Sequence, residues 1–302
     1  MKNIILLLAI TLVFSCKNET KTNGKLNVVT TTTMITDLVK NIGGDSINAQ
    51  GLMGSGVDPH LYKASEGDVT KLTNADIIFY NGLHLEGKLV EVFEKMGSAT
   101  ITPIALADEL NKNTLIGSDY FASNYDPHVW FDIDYFKAFA NKVTIILSEK
   151  DQKNADTYIE NTTKYVAKLN ALKLEVEEII ETLPKEKRIL VTAHDAFNYF
   201  GKAYGFEVVG LQGLSTATEA GVQDVQKLAA FIIEKEIKAI FVESSVPKRT
   251  IEALQAAVKS KGHDVEIGGT LYSDALGTTG TVEGTYIGMF KYNVNTIVNA
   301  LK

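Results

Sequence analysis

The chain has 302 residues, a length that suits two domains. Its formal net charge of −7, without a basic run, argues against a nucleic-acid partner and against electrostatic adhesion to anionic lipid. With one cysteine, no disulfide can form within the chain.

Met1-Lys2-Asn3 leads into an apolar run from Ile4 to Phe14, broken only by Thr11. The run is shorter than the ~20 apolar residues that span a bilayer, and it suits the h-region of a secretory signal over residues 1–15. Leu12-Val13-Phe14-Ser15-Cys16 resembles a bacterial lipobox, which makes Cys16 the expected lipidation site; ordinary signal cleavage is the alternative. Residues 16–24 are short and polar and read as a tether from the membrane. Membrane contact would then come from the lipid alone.

Residues 25–150 alternate strand and helix. Leu26–Thr31 is β-branched and strand-like, and Met34–Ile42 is a helix ended by Gly43-Gly44. Ile47–Leu52 follows as a strand, Glu66–Leu72 as a helix capped by Ser65, and Ile77–Tyr80 as a buried strand. Lys88–Met96 is a helix, Thr100–Ile104 a strand, and Phe136–Leu147 a helix, whereas residues 106–126 have no clear period. Such alternation implies a parallel sheet.

Residues 151–183 carry apolar side chains at Ala155, Tyr158, Ile159, Tyr165, Val166, Leu169, Leu172, Val176, Ile179, Ile180 and Leu183. Steps of three and four keep one stripe on one helical face, and Pro184 cannot continue the ladder. A helix of that length would run for ~50 Å, a strut rather than a connector. Residues 184–302 then restart the α/β pattern. Ile189–Thr192, Val208–Val209, Ala239–Val242 and Val265–Ile267 read as strands, and Ala196–Tyr204, Val222–Ile233, Ile251–Val258 and Tyr286–Leu301 as helices. The expected fold is therefore two α/β lobes with mostly parallel sheets joined by one long rigid helix.

Asp58-Pro59-His60 and Asp126-Pro127-His128 repeat one tripeptide in a chain with five histidines and five prolines. Proline fixes its own φ and holds the preceding aspartate extended, so each histidine sits on a stiffened loop, as a metal ligand requires. Either copy alone reads as a turn with a solvent-facing histidine; the pair reads as ligands. His194 lies past the strand Ile189–Thr192, where open α/β sheets place their ligands, with Asp195 as the expected cap of the next helix. Asp274 lies in a glycine-bounded loop after Val265–Ile267. Two candidates fall in each half and could meet across a cleft. Glu243, ending the strand Ala239–Val242, is either an acceptor that orients an imidazole or an ordinary carboxylate before a helix. His84 is expected to be packed or half-buried between leucines and His263 to be structural. A metallohydrolase is the main enzyme alternative, but a fourth protein ligand closes the metal shell and no His-Glu-x-x-His helix supplies a base. A surface adhesin with a structural metal is the third reading.

The chain resembles the cluster A-I, or TroA-like, solute-binding proteins of ABC importers for zinc and manganese, from about Lys25 to Lys302. The resemblance rests on residues 58–62, 81–86, 126–132, 191–197, 210–213 and 272–275. It implies two lobes on a rigid helix, with one metal between them held by His60, His128, His194 and Asp274. It also implies a monomer that captures Zn2+ or Mn2+ outside the cytoplasm and passes it to an ABC permease, with no chemistry done on it. Three imidazoles and one carboxylate suit tetrahedral zinc, whereas the stretch Asn111–Tyr125 lacks the histidines that zinc-dedicated members often carry there. Affinity should fall as the histidines protonate. A strut of this kind predicts release through small tilts or loop movements.

Overall fold

A computed structural model describes residues 24–96, 101–119 and 121–302. The expected signal, Cys16 and the tether up to residue 23 lie outside the described residues. Among those described, no helix is long and apolar enough to cross a membrane.

The first lobe runs β1 (Leu26–Thr30), α1 (Thr33–Gly43), β2 (Ile47–Gly51), α2 (Glu66–Thr73), β3 (Ile77–Tyr80), α3 (Gly87–Met96), β4 (Ile104–Ala105) and α4 (Ile133–Lys150). Its four strands form one parallel sheet in the order β2-β1-β3-β4. Ser65 caps α2 as its spacing predicts, accepting from Asp68 N while the Asp68 carboxylate accepts from Ser65 N. The strand expected at Thr100–Ile104 is observed as Ile104–Ala105, and residue 100 lies outside the described residues. The aperiodic stretch after it is a string of short 3-10 turns with one antiparallel bridge, Gly117 to Tyr125.

Helix α5 (Ala155–Glu181) follows, and then the second lobe: β5 (Ile189–His194), α6 (Asn198–Tyr204), β6 (Glu207–Gln212), α7 (Val222–Glu234), β7 (Ala239–Glu243), α8 (Arg249–Ser260), β8 (Glu266–Leu271) and α9 (Tyr286–Leu301). β5 pairs with β6 and β7 with β8, all parallel, and β5 lies beside β7. Asp195 does not cap α6. Its Oδ1 accepts from Gly210 N at 2.8 Å, and the helix starts three residues later with Phe197 at its cap. Gly210 permits that approach, because a Cβ there would stand 2.6 Å from the backbone of His194 and Asp195.

α5 has 27 residues, about 40 Å of helix. A separate turn, Gln152–Asn154, parts it from α4, and the Asp151 carboxylate fixes the corner by accepting from Tyr158 Oη at 2.8 Å. Its buried stripe is Tyr158, Thr162, Tyr165, Leu169, Leu172, Val176 and Ile180. Ile159 points outward, 53% exposed, and Thr162 takes the inner position by pairing its hydroxyl with that of Thr144 on α4. α5 packs on α1 and α4 of the first lobe and on α9 of the second.

The largest apolar core therefore belongs to neither lobe alone. It joins Leu38 and Val39 of α1, Phe139 of α4, Leu169 of α5, Leu190 of β5 and Val294 of α9. Smaller clusters lie under α2 and α3 and among β5 to β8, α7 and α8. Asp37 marks the junction: its Oδ2 accepts from Tyr165 Oη on α5 and from Tyr286 N at the start of α9. A shared core predicts shared unfolding. Leu169→Ala should lower the unfolding free energy by about 2–5 kcal/mol in urea. Circular dichroism and the fluorescence of Trp130, the single tryptophan, should report one coincident transition. Two separated transitions would contradict the shared core.

Candidate metal centre

Both Asp-Pro-His copies fold into the same local turn. Asp58 Oδ1 accepts from His60 N at 2.8 Å, and Asp126 Oδ1 accepts from His128 N at 2.9 Å. Each aspartate thus closes an Asx-type turn two residues ahead of itself, while proline fixes the middle. The repeated spacing held that signal, beyond the extended geometry expected from proline alone. The second copy is clamped from both lobes: Asn81 Nδ2 donates to Pro127 O at 3.0 Å, Tyr199 Oη donates to Asp126 O at 3.1 Å, and Asn198 Nδ2 donates to Asp126 Oδ2 at 3.0 Å.

The fold brings His60, His128, His194 and Asp274 together, all buried, with one ligand atom from each lying within 4.8 Å of all the others. His60 Nε2 is 3.3 Å from His128 Nε2, and His194 Nε2 is 3.3 Å from Asp274 Oδ2. His128 Nε2 stands 3.7 Å from Asp274 Oδ1. Donors around a tetrahedral zinc ion with bonds near 2.0–2.1 Å are separated by about 3.3 Å, which the two shorter contacts match, and the wider ones close on one ion with a small inward shift of the side chains. His194 Nε2 and Asp274 Oδ1 have no hydrogen-bond partner among the described residues although both are buried. Orphaned buried polar atoms are costly, and a cation between them would satisfy both.

Behind two of the imidazoles stands a carboxylate. His128 Nδ1 is 2.7 Å from Asp126 Oδ1, and His194 Nδ1 is 2.6 Å from Glu243 Oε2. The second contact lies off the line of a good hydrogen bond and is chiefly electrostatic, while Glu243 Oε1 accepts from His194 N at 2.9 Å. A carboxylate on Nδ1 assigns the proton there and turns the Nε2 lone pair toward the site. Of the two readings of Glu243, the geometry fits the one that orients an imidazole. Asp274 is held from its own side, where Ser245 Oγ donates to Oδ2 at 3.3 Å. The neighbouring Ser273 O accepts from Trp130 Nε1 across the cleft at 3.1 Å.

Burial pushes the His60 imidazolium down to a pKa of about 3, with Asp274 opposing and the other histidines adding to the effect. Burial acts on His194 in the same sense, but Glu243 and Asp274 outweigh it and hold its pKa well above the usual histidine range. Burial also works against ionised Asp274, and here the His194 charge prevails, keeping the carboxyl well below its usual range.

His84 lies outside this cluster, and it is exposed rather than packed as its leucine neighbours suggested. Gly82, Leu83 and His84 all have positive φ, of 88°, 51° and 62°, so the chain makes a left-handed turn that carries the imidazole outward. Buried Glu86 holds that turn by accepting from Asn81 N, Gly82 N and Thr31 Oγ1. His263, at the end of α8, is half-buried and remote from the cluster. Sequence reasoning missed the orienting roles of Asp126, Asn81 and Ser245, whose partners are distant in sequence or were masked by the turn they form.

Fold and site together define a two-lobed α/β protein with a candidate ligand set for one divalent metal ion between the lobes. The family model for ZnuA, zinc-uptake complex component A, periplasmic, matches residues 28–300. The chain is 48% identical over 278 residues to the manganese-binding lipoprotein MntA of Bacillus subtilis, covering 92% of this chain and 90% of the relative. It is 48% identical over 283 residues to the zinc-binding protein TroA of Treponema pallidum, with the same coverage. The solved structure of that periplasmic zinc-binding protein superposes with a TM-score of 0.89 at 47% identity, over 92% of this chain and 99% of the other. The chain belongs to this family of metal solute-binding proteins.

The charge pattern has a consequence for pH. Glu243 and Asp274 favour the protonated form of His194 in the metal-free site, and that proton must leave before the ring can ligate, whereas burial favours neutral His60. Zinc uptake at pH 7 should therefore release protons, and affinity should fall by about tenfold for each pH unit that the pH drops, per proton displaced. Titration calorimetry in two buffers of different ionisation enthalpy would show it as a buffer-dependent heat; identical heats would contradict the assignment.

Proposed function

We propose that His60, His128, His194 and Asp274 hold one divalent transition metal, zinc or manganese, which the protein captures outside the cytoplasm and delivers to an ABC permease. The single observation that carries this reading is the convergence of four buried donors from both lobes, of which His194 Nε2 and Asp274 Oδ1 make no hydrogen bond among the described residues. Glu243 orients His194. Three nitrogen donors and a carboxylate favour tetrahedral zinc, and zinc also stands above manganese in the order of intrinsic affinities. The relatives named for manganese and for zinc are equally similar to this chain, so both ions belong to the proposal.

In this reading residues 25–150 and 184–302 are the two lobes, residues 151–183 join them, and the protein works as a monomer. Residues 1–15 are a signal, and Cys16 at the head of the 16–24 tether carries the lipid that keeps the protein at the outer face of the cytoplasmic membrane. The protein is not an enzyme in this account, because four protein donors fill a tetrahedral shell and leave no position for a reacting water. The apolar core does not pass through the metal cluster, which supports a protein that stays folded while metal comes and goes.

Native mass spectrometry of stripped protein offered zinc and manganese together should find one tightly held ion per chain. His194→Ala should lose that ion while keeping the wild-type circular dichroism. No bound ion, or two tight ions, would overturn the four-ligand site.

A further inference from the structure

The segment of residues 213–220, between β6 and α7 in the second lobe, reaches the turn that carries His60. It is poorly supported by its own lobe. A cavity of about 700 Å3 lies between it, β6, α7 and the first-lobe residues Ser118 and Phe121, lined by Gln212, Ser215, Leu228 and Phe231 among others. Its internal ties are few: Gln212 Nε2 donates to Thr218 O at 3.1 Å, Ala217 N to Ser215 Oγ at 3.2 Å, and Asp195 N to Gly213 O at 3.3 Å. An ion pair from Glu219 to Arg249 is fully in solvent and holds little. A segment with so few buried contacts opens at low cost.

Within residues 213–220 one side chain is buried, that of Thr216. Its Oγ1 donates to Asp58 Oδ2 at 2.6 Å, reaching across the cleft to the first lobe. Among the described hydrogen bonds this is the one that joins the segment to that lobe. Its acceptor matters because the other oxygen of Asp58 closes the turn that carries His60. One carboxylate therefore couples the cover of the cleft to the position of a metal ligand. The second Asp-Pro-His copy differs here: Asp126 spends its oxygens on His128 and Asn198 and has no partner in the segment.

We propose that Thr216 is the latch of a lid formed by residues 213–220, a positioning residue that holds the cover closed and His60 in place, and whose release opens the path by which the metal leaves. The inference rests on the metal-capture reading above and adds to it a residue that sets the rate of release. The other ties across the cleft, such as Trp130 to Ser273 and Ser55 to Leu276, come from different segments and do not restrain this one.

The test is zinc release from the full folded chain, followed by stopped flow after mixing with excess pyridylazoresorcinol. Thr216→Val keeps the shape and removes the donor, and should speed release by about tenfold, the cost of losing a hydrogen bond to a carboxylate. Thr216→Ala supplies a second hydroxyl-free variant should the first disturb the fold by circular dichroism. Thr216→Ser keeps the hydroxyl and should restore a rate near wild type, which a role in packing alone would not predict. Wild-type release rates in both hydroxyl-free variants, or equally fast release from Thr216→Ser, would overturn the latch and leave the metal site standing. A wild-type protein that takes up no zinc would overturn both.

Discussion

One apolar core, shared by both lobes along α5, fixes the distance between the loops that carry the ligands. α1 and α4 enter it from the first lobe and α9 and β5 from the second, so neither lobe can turn far without exposing side chains such as Leu169 and Val294. The candidate ligand groups sit on strand ends and the loops after them. His194 ends β5, Glu243 ends β7, and Asp274 follows β8 by three residues. Rigidity at the base is what allows three imidazoles and a carboxylate to face one another in a buried cleft, where unpaired polar groups are expensive.

That cost is met by arranging charge around the cluster. Asp126 and Glu243 stand behind His128 and His194, so two rings are turned with Nε2 inward before any ion arrives. His60 has a different support, an Asx turn whose carboxylate is shared with the second lobe. The proton on His194 stands in for the metal charge between Glu243 and Asp274, and exchanging one cation for the other leaves the buried carboxylates paired throughout.

Much of this is legible in the sequence because it is written in local periods. The three-four spacing of Tyr165, Leu169, Leu172 and Val176 marks α5, and Ser65 with Asp68 marks the start of α2. The repeated Asp-Pro-His marks two of the candidate ligands through stiffness alone. What period cannot show is which distant residue a polar group meets. Thr162 enters the buried stripe of α5 because Thr144 is opposite, and Asp195 leaves the helix cap because Gly210 offers an amide at close range. His84 lies in solvent because three successive left-handed residues reverse the chain, a conformation that leucine and histidine do not announce. The pairing of Glu243 with His194 spans 49 positions, and only the neighbouring of β5 and β7 brings it about.

In the proposed site a single ion sits among His60, His128, His194 and Asp274. X-ray absorption at the zinc edge of the zinc-loaded protein tests it most directly. The account predicts nitrogen and oxygen donors alone at about 2.0–2.1 Å, with the outer scattering of three imidazole rings. A sulfur donor, a six-oxygen shell, or scattering from fewer than two imidazoles would contradict it.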